Sequence, residues 1–320
     1  MKAVVVQGVN QVVVQDVPEP TIYQNQVLVK MGLTNICSQT DLHMIQGRYD
    51  CQKPYPYILG HEGAGTVVQV GEALQHRFEV GDRVAYKGMY GVMAEYTALP
   101  EDALFKIPNS VSFETAAMYE VAACAYAIVK QTVNMGDNVL LLGQGCAGLL
   151  GTIFAKIAGA ALVVASDISS YKRSLAEQYG AHVVVDPTKD DLTVLTKELT
   201  SGQGFDVTLD FAGIPQTMNT CVELLRPQGS IGMFGVSCEP FAFDFFKLHD
   251  KMGIIITAGH EYNYGSVPFQ KMLNFTLSGQ LQLEAFVTHK FPLDEMEKGL
   301  TLIRNQDETV LRIGLLPPFN

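Results

Sequence analysis

Hydrophobic and polar positions follow two different patterns along this chain. From Lys2 to Leu99 the apolar residues form short runs separated by turn residues, and helix-period patterns are almost absent. The runs predicted to be strands are Ala3–Val6, Gln11–Val14, Gln26–Met31, Gly65–Val70 and Val84–Ala85. This part of the sequence therefore favours an N-terminal, β-barrel-like domain.

Strands and helices alternate from Asn138 to about His260. The predicted strands are 139–142, 161–165, 182–185, 207–210, 230–234 and 253–258, and the predicted helices are 148–158, 171–179, 191–199 and 215–225. Such alternation is typical of an α/β fold with a doubly wound parallel sheet. A helix over Phe113–Gln131, with Ser112 as its N-cap, is predicted to connect the two domains. The tail is predicted to return to the first domain, with helices at 267–278 and 293–304 and strands at 283–288 and 310–315.

A glycine motif lies where the first strand of the alternating region meets its helix. The six residues are Gly143, Gln144, Gly145, Cys146, Ala147 and Gly148, a G-x-G-x-x-G. Gly143 permits a tight turn, Gly145 lets the backbone approach a pyrophosphate, and Gly148 allows close packing of helix on strand. The helix N-terminus offers N–H groups to the anion. Asp167 ends the next strand, 19 residues beyond Gly148, where it would accept hydrogen bonds from the adenosine ribose. A glycine-rich turn in another α/β protein is the alternative.

Composition restricts the class of partner. The 320 residues are 48% hydrophobic, enough for sizeable cores, and the formal charge is −11, without a basic run or a Trp. This balance argues against nucleic-acid or anionic-membrane partners and favours an enzyme of small molecules. The N-terminus lacks the apolar region of a signal peptide, and the six cysteines contain no C-x-x-C, so we expect reduced thiols in a cytoplasmic protein.

Two segments of the N-terminal region concentrate metal-competent and titratable residues. One runs from Ile36 to His43 and contains Cys37 and Asp41, and the other is Leu59–Gly65, with His61 beside Glu62. Their neighbours are otherwise apolar or small.

Together these segments resemble the medium-chain dehydrogenase/reductase superfamily, and within it the zinc-dependent alcohol and polyol dehydrogenases. The resemblance covers essentially the whole chain, and its motifs are Cys37 with Thr40-Asp41-x-His43, Gly60-His61-Glu62-Gly63, Gly81-Asp82-Arg83-Val84, Tyr119-Glu120-Val121, Gly143–Gly148 and Val287-Thr288-His289. It implies a GroES-like β-barrel catalytic domain of residues 1–120 and 262–320 and a Rossmann cofactor domain of residues 121–261. It also implies one catalytic Zn²⁺ in a cleft between them.

The resemblance further implies that Cys37, His61 and Glu120 are the zinc ligands, with Glu62 as the alternative carboxylate used by some polyol dehydrogenases. Thiolate, imidazole and carboxylate are donors that zinc prefers, and a catalytic zinc keeps one position open. Asp41 would orient the His61 ring. A single histidine such as His61 is also compatible with a satisfied core or surface position.

The implied chemistry is alcohol oxidation, with zinc acting as a Lewis acid on the substrate oxygen. The Thr40 hydroxyl, the cofactor ribose and His43 would carry the proton to solvent. The alternatives are that Thr40 is a turn residue that caps the next segment and that His43 is merely exposed.

The cofactor residues implied are the Gly143–Gly148 loop, Asp167, Lys172 and Arg312. Asp167 favours NAD over NADP, because a carboxylate accepts from a 2′-hydroxyl and repels a 2′-phosphate. Lys172 resembles a ribose-contacting lysine of the family, whereas Arg173 introduces a cation that can accommodate a phosphate. Arg312 corresponds to a pyrophosphate-contacting arginine in some relatives, and an exposed strand arginine is the alternative.

The sequence departs from the family at two places. Many relatives bind a second, structural zinc through clustered cysteines, but Gly81–Pro100 contains no cysteine, so we predict no structural zinc. In addition, both Ser38 and Gln39 lie between Cys37 and Thr40, where the family usually has one residue. Counting back from Thr40 places Ser38 at the ligand position, whereas counting forward along the preceding strand places Cys37 there. Because a turn absorbs an added residue at modest cost, we predict that Cys37 is the ligand.

The leading hypothesis is an NAD-dependent, single-zinc dehydrogenase of secondary alcohols, polyols or sugar-like substrates. A zinc-free reductase of quinones or enones on the same fold is the second hypothesis, and a non-catalytic dinucleotide-binding protein is the third. The resemblance also implies a homodimer or homotetramer. The substrate itself is not identified, because pocket side chains from several loops determine specificity.

Overall fold

The computed structural model describes residues 1–48, 54–88, 91–238, 240–257 and 267–318. The chain divides into two units, the first formed by Met1–Ala123 with Tyr262–Asn320 and the second by Cys124–Glu261. The strands of the described residues are, in chain order, β1 (Lys2–Gly8), β2 (Gln11–Asp16), β3 (Gln26–Ile36), β4 (Tyr57–Ile58), β5 (Gly63–Val70), β6 (Arg83–Tyr86), β7 (Tyr96–Pro100), β8 (Leu104–Lys106), β9 (Asn138–Leu142), β10 (Leu162–Ser166), β11 (Val183–Val185), β12 (Phe205–Asp210), β13 (Leu225–Met233), β14 (Ile254–Thr257), β15 (Val287–Pro292) and β16 (Arg312–Leu316).

The helices of the described residues are five to 14 residues long. In chain order they are α1 (Thr40–Ile45), α2 (Phe113–Ala117), α3 (Tyr119–Thr132), α4 (Cys146–Ile157), α5 (Ser170–Gln178), α6 (Leu192–Leu199), α7 (Pro215–Leu224), α8 (Phe245–Asp250), α9 (Val267–Leu277) and α10 (Met296–Arg304). The Ser112 side chain accepts a hydrogen bond from the Thr115 N–H and caps α2, as an N-cap serine does.

The first unit contains a three-stranded sheet in the order β2-β1-β4 and a mostly antiparallel sheet. In the second of these, β15, β16, β3, β5, β6 and β8 follow one another, and β7 pairs with β3. The central strand β3 is long, and most of its residues are buried. Its apolar side chains, with those of β5 and β6, form one core around Val29, Met31 and Val67. A second core includes Ile36, Leu59 and Ile313.

Strand register in this sheet brings distant segments to one place. Thr34 near the end of β3 pairs with Gly63 at the start of β5, and Ile36 pairs with Ile313 of β16. The residues that follow β3, precede β5 and open β16 are therefore neighbours, although they are far apart in sequence.

The second unit is built on a six-stranded parallel sheet in the order β11-β10-β9-β12-β13-β14. Numbered from β9, this is the order 3-2-1-4-5-6 of a doubly wound dinucleotide-binding sheet. Strands β9 and β10 are buried almost throughout, because helices cover parallel sheets on both faces. The predicted Rossmann-type parallel sheet is confirmed.

Several predicted elements differ in detail from the structure. The predicted strand 283–288 is wrong at its start: Leu283–Phe286 is a 3₁₀ turn, and β15 begins at Val287. Leu283 and Phe286, three residues apart, are both buried, which is the 3₁₀ period. The helix predicted over 113–131 is two helices, since α2 ends at Ala117 and α3 begins at Tyr119. The short elements α1, β4, β7, β8 and α8 were not predicted.

Two other predictions lie partly outside the described residues. The strand predicted over 253–258 is β14, and residue 258 falls outside the described ranges. No disulfide within the described residues involves their five cysteines, Cys37, Cys124, Cys146, Cys221 and Cys238, and Cys51 lies outside these residues.

Candidate metal centre and dinucleotide site

Three metal-competent side chains meet where β3 ends and β5 begins. Cys37 directly follows β3, and His61 and Glu62 directly precede β5. One ligand atom of each residue lies within 4.8 Å of the others, and all three residues are buried. Within the part of the chain that the structure describes, this is the group of three or more such residues that could hold a metal ion.

Asp41 of α1 supports two of these residues from behind. Its Oδ1 lies 3.0 Å from His61 Nδ1, and its Oδ2 accepts a hydrogen bond of 2.7 Å from the Cys37 backbone N–H. The Asp41 carboxylate is fully buried. With Nδ1 engaged by a carboxylate, His61 presents Nε2 for a metal, which is the usual arrangement behind a metal-bound histidine.

The charges around Cys37 and His61 favour a bound cation. Burial raises the pKa of the Cys37 thiol, but the Arg312 guanidinium and the hydrogen-bonded His61 outweigh it and leave the pKa below its ordinary value. Burial likewise lowers the pKa of His61, whereas Asp41 and Cys37 raise it well above its ordinary value. The thiolate and the buried carboxylate thus stabilise a positive charge on the imidazole, and a zinc ion that replaces the imidazole proton would supply that charge.

The Glu62 carboxylate forms a buried ion pair with Arg312, which balances its negative charge. Arg312, the first residue of β16, donates from Nη2 to Glu62 Oε1 at 2.6 Å and from Nε to Oε2 at 3.0 Å. Asn35 Nδ2 lies 3.3 Å from Glu62 Oε2. Arg312 is only 4% exposed, so the interpretation of it as an exposed strand arginine is wrong. Its pairing with Glu62 was not predicted.

The remaining residues predicted as zinc ligands or proton carriers lie in the turn before α1, on α1 and on α3. Ser38 is exposed and forms a turn with Gln39 between Cys37 and α1, so the structure places Cys37, not Ser38, in the cluster. Thr40 and His43 are half-buried on α1, and burial together with Arg48 lowers the pKa of His43. Glu120 is half-buried in the first turn of α3 and is not one of the three clustered residues.

Replacing Asp41 by Asn should weaken zinc binding by about 10- to 100-fold, the usual effect of removing a carboxylate behind a metal-bound histidine. The amide removes the negative charge that holds the His61 ring and its proton on Nδ1. Competition with a chromogenic chelator would measure the affinity. Asp16→Asn is the control, since Asp16 is an exposed carboxylate paired with Lys2. Unchanged zinc affinity in Asp41→Asn would contradict the supporting role.

The glycine loop of the second unit leaves room at the N-terminus of α4. Gly143 has φ +91, which favours glycine, and its N–H donates to the Ser166 carbonyl at 2.8 Å. A Cβ on Gly148 would lie 1.9 Å from the Gly143 oxygen, so only glycine fits there. By contrast, a Cβ on Gly145 would meet nothing within 4 Å, and Gly145 provides no side-chain cap. This open space beside a helix N-terminus fits the pyrophosphate of a dinucleotide.

Asp167 follows β10 and is held beside the loop. Its Oδ2 accepts from the Gln144 N–H at 2.6 Å, and its Oδ1 accepts from the Ser169 N–H at 2.8 Å. Lys172 is half-buried in the first turn of α5, and its N–H donates to Ser169 Oγ. Arg173 donates to the backbone carbonyls of Asp167 and Ile168. The structure thus gathers the predicted cofactor residues of the second unit around the start of α4 and the end of β10.

Comparison with known proteins places the chain in a family. The model of the alcohol dehydrogenase GroES-like domain matches residues 23–109, and the model of the zinc-binding dehydrogenase domain matches residues 146–276. The L-threonine 3-dehydrogenase of Idiomarina loihiensis is 32% identical, and the match covers 92% of this chain and 94% of the relative. The chain belongs to the zinc-dependent medium-chain dehydrogenases/reductases.

Solved structures agree with this assignment. The 2R,3R-butanediol dehydrogenase of Bacillus subtilis is 25% identical, with a TM-score of 0.88 and 99% of each chain covered. The zinc-dependent alcohol dehydrogenase 2 of Streptococcus pneumonia is 27% identical, with a TM-score of 0.89, 100% of this chain and 99% of that chain covered. A quinone oxidoreductase of Pseudomonas syringae is 26% identical, with a TM-score of 0.88 and 99% of each chain covered.

The predicted family, fold and enzyme class are therefore confirmed. This dehydrogenase is a zinc-dependent oxidoreductase of small alcohols or polyols that uses NAD. Among the described residues, none of the helices has the length and apolar character needed to cross a membrane.

Proposed function

We propose that this dehydrogenase interconverts a small secondary alcohol and its ketone, with NAD as hydride acceptor and one zinc per chain. The observation that carries the proposal is the buried cluster of Cys37, His61 and Glu62, with Asp41 hydrogen-bonded to two of its members. A zinc-free quinone reductase has no use for such a set. We assign the catalytic role to residues 1–120 and 262–320 and dinucleotide binding to residues 121–261.

Cys37 and His61 are the residues that would hold the zinc in this proposal, with one carboxylate from Glu62 or Glu120. When bound, zinc acts as a Lewis acid on the substrate oxygen and so eases loss of the hydroxyl proton. Glu62 already accepts two hydrogen bonds from Arg312, which compete with a metal for its carboxylate oxygens. Glu120 therefore stays a predicted zinc ligand.

The proposed route for the proton uses two residues of α1. The Thr40 hydroxyl would accept the proton of the substrate hydroxyl and pass it on, and His43 would transfer it to solvent. Because burial and Arg48 lower the pKa of His43, this imidazole is neutral near pH 7 and can accept a proton.

The names of the relatives indicate the substrate class. An L-threonine 3-dehydrogenase and a 2R,3R-butanediol dehydrogenase are both named for a hydroxyl on a secondary carbon next to a carbon that bears another polar group. We therefore propose a vicinally substituted secondary alcohol, such as a β-hydroxy amino acid, a 2,3-diol or a polyol.

A substrate panel with metal analysis tests the proposed function. Purified protein should contain close to one zinc per chain and reduce NAD with L-threonine, 2,3-butanediol or a polyol. A chelator should abolish this turnover before the protein unfolds. Zinc-free protein that reduces quinones or enones would support the second hypothesis instead, and zinc-free protein without turnover would support the non-catalytic one.

Two finer properties are also proposed. We propose the cytoplasm as the compartment, because the six cysteines contain no C-x-x-C and a chain of 320 residues does not need disulfides for stability. By analogy with its relatives, we propose a homodimer or homotetramer, and light scattering coupled to size-exclusion chromatography would measure the number of chains.

Cofactor choice gives a separate prediction. The wild type should use NAD better than NADP, because the Asp167 carboxylate repels a 2′-phosphate and accepts from a 2′-hydroxyl. Asp167→Ser should narrow the difference in kcat/KM between NAD and NADP by roughly 5-fold or more, since loss of one close charge repulsion is worth about 1 kcal/mol or more. Asp190→Asn, at an exposed carboxylate farther along the chain, is the control. A wild type that prefers NADP would refute this assignment.

A further inference from the structure

The Arg173 side chain lies beside Asp167 and forms an ion pair with another carboxylate, that of Asp186. Arg173 Nη1 donates to the carbonyl oxygens of Asp167 at 2.7 Å and Ile168 at 3.0 Å. Its Nη2 lies 3.1 Å from Asp186 Oδ2, and the two side chains are only 15% and 9% exposed. In this fold an arginine near the end of the second strand can receive the 2′-phosphate of NADP. Here the guanidinium is already engaged on both sides.

Strand register explains why Asp186 reaches this place. Strands β10 and β11 are parallel, and Ser166 pairs with Val185. The residues that follow these strands, Asp167 and Asp186, therefore lie side by side at the carboxyl edge of the sheet. Parallel neighbours bring the ends of their strands together in this way.

The Asp186 carboxylate is itself fixed. Its Oδ1 accepts from the Thr188 hydroxyl at 2.6 Å and from the Thr188 N–H at 3.1 Å. Its Oδ2 also lies 3.1 Å from Lys189 Nζ. The hydrogen bond from Thr188 and the nearby cations hold the pKa of Asp186 well below its usual range, so the group is charged at neutral pH. A fixed, charged carboxylate keeps Arg173 in the observed position.

We propose that Asp186 is a specificity-determining residue that excludes NADP by holding Arg173. Two residues then disfavour NADP. Asp167 repels the 2′-phosphate, and Asp186 forms an ion pair with the Arg173 guanidinium, which would otherwise bind that phosphate. The inference rests on the proposed function in one respect, namely that a dinucleotide binds at the Gly143–Gly148 loop.

Binding of reduced cofactors, without an alcohol present, tests the inference. Dissociation constants of NADPH and NADH would be measured by nicotinamide fluorescence for the wild type, Asp167→Ser, Asp186→Asn and the double variant. The double variant should bind NADPH roughly tenfold or more tightly than Asp167→Ser does, because a freed guanidinium forms charge-assisted hydrogen bonds with a phosphate. The NADH constant should change much less.

Adding Arg173→Met to the double variant should remove the gain in NADPH affinity. This comparison distinguishes NADPH binding by the released Arg173 guanidinium from any other effect of replacing Asp186. The inference is overturned if the double variant Asp167→Ser/Asp186→Asn binds NADPH no more tightly than Asp167→Ser, or if its gain in affinity survives the addition of Arg173→Met.

A matched control separates the arginine from general charge. Asp190 is exposed and accepts a hydrogen bond of 2.9 Å from the Asp186 N–H. Asp190→Asn, combined with Asp167→Ser, removes the same charge nearby and leaves the Arg173–Asp186 pair in place. An equal gain in NADPH affinity there would also overturn the inference. Asp186→Ser provides a second replacement if Asp186→Asn does not fold.

Failure of this inference is distinguishable from failure of the proposed function. A protein that oxidises alcohols with NAD but whose NADPH affinity is insensitive to Asp186 overturns the inference alone. A protein that binds neither dinucleotide and has no alcohol oxidation overturns both.

Discussion

Cys37→Ala should lose its zinc and lower kcat/KM by roughly 10³-fold or more, which corresponds to about 4 kcal/mol of transition-state stabilisation. Cys37 is buried in the cluster, and Arg312 and His61 favour its thiolate, the form that binds metal. A methyl group cannot replace that bond. Zinc per chain would be measured by plasma mass spectrometry, together with turnover of the best alcohol in the substrate panel.

Ser38→Ala is the matched control for this prediction. Ser38 is the alternative ligand if residues are counted back from Thr40, but its side chain is exposed in the turn before α1. The variant should keep its zinc, and its rate should change only modestly. Zinc and turnover retained in Cys37→Ala would show that the proposed site is wrong at its first residue.

Much of the second unit could be predicted because its signals are local. The apolar run Val139–Leu142, the glycines that follow it and the next apolar run lie within 30 residues and are enough to indicate strand, turn, helix and strand. The strand order could then follow from the family resemblance. In contrast, α1 is six residues long, too short for a helical period to be seen in the sequence.

The strand predicted from Leu283 was wrong because the same residue pattern fits a strand and a 3₁₀ turn. Leu283, Ala285 and Val287 alternate with other residues as in a strand, but the buried pair Leu283 and Phe286 matches a 3₁₀ turn. Tertiary packing of these side chains decides between the strand and the 3₁₀ turn, and a four-residue sequence does not reveal that packing.

The ligand candidates were visible as motifs, whereas the residues that control their charge were not. Glu62 and Arg312 are 250 positions apart and meet only because β16 pairs with β3, which pairs with β5. Likewise Asp186 meets Arg173 through the register of β10 and β11. Ion pairs of this kind depend on sheet topology, so one sequence without its fold does not identify them.

Arg312→Met should destabilise the zinc-free protein by about 3–5 kcal/mol, the cost of removing one partner of a buried ion pair. The side chains of Arg312 and Glu62 are 5% and 0% exposed, so the remaining carboxylate would be buried without a counter-charge. Urea unfolding followed by circular dichroism would measure the free energy. Arg304→Met is the matched control, because Arg304 pairs with Glu297 on the surface, and such pairs contribute about 1 kcal/mol or less.

The double variant Glu62→Gln/Arg312→Met should recover much of the lost stability, because no unpaired charge then remains. The same proteins also distinguish the ion-pair role of Arg312 from the pyrophosphate contact that the family resemblance implies. In the ion-pair role, the folded single variant loses stability and binds NADH nearly as well as the wild type. If Arg312→Met instead keeps its stability and loses NADH affinity, then the guanidinium acts on the cofactor, and Glu62 does not depend on it for charge balance.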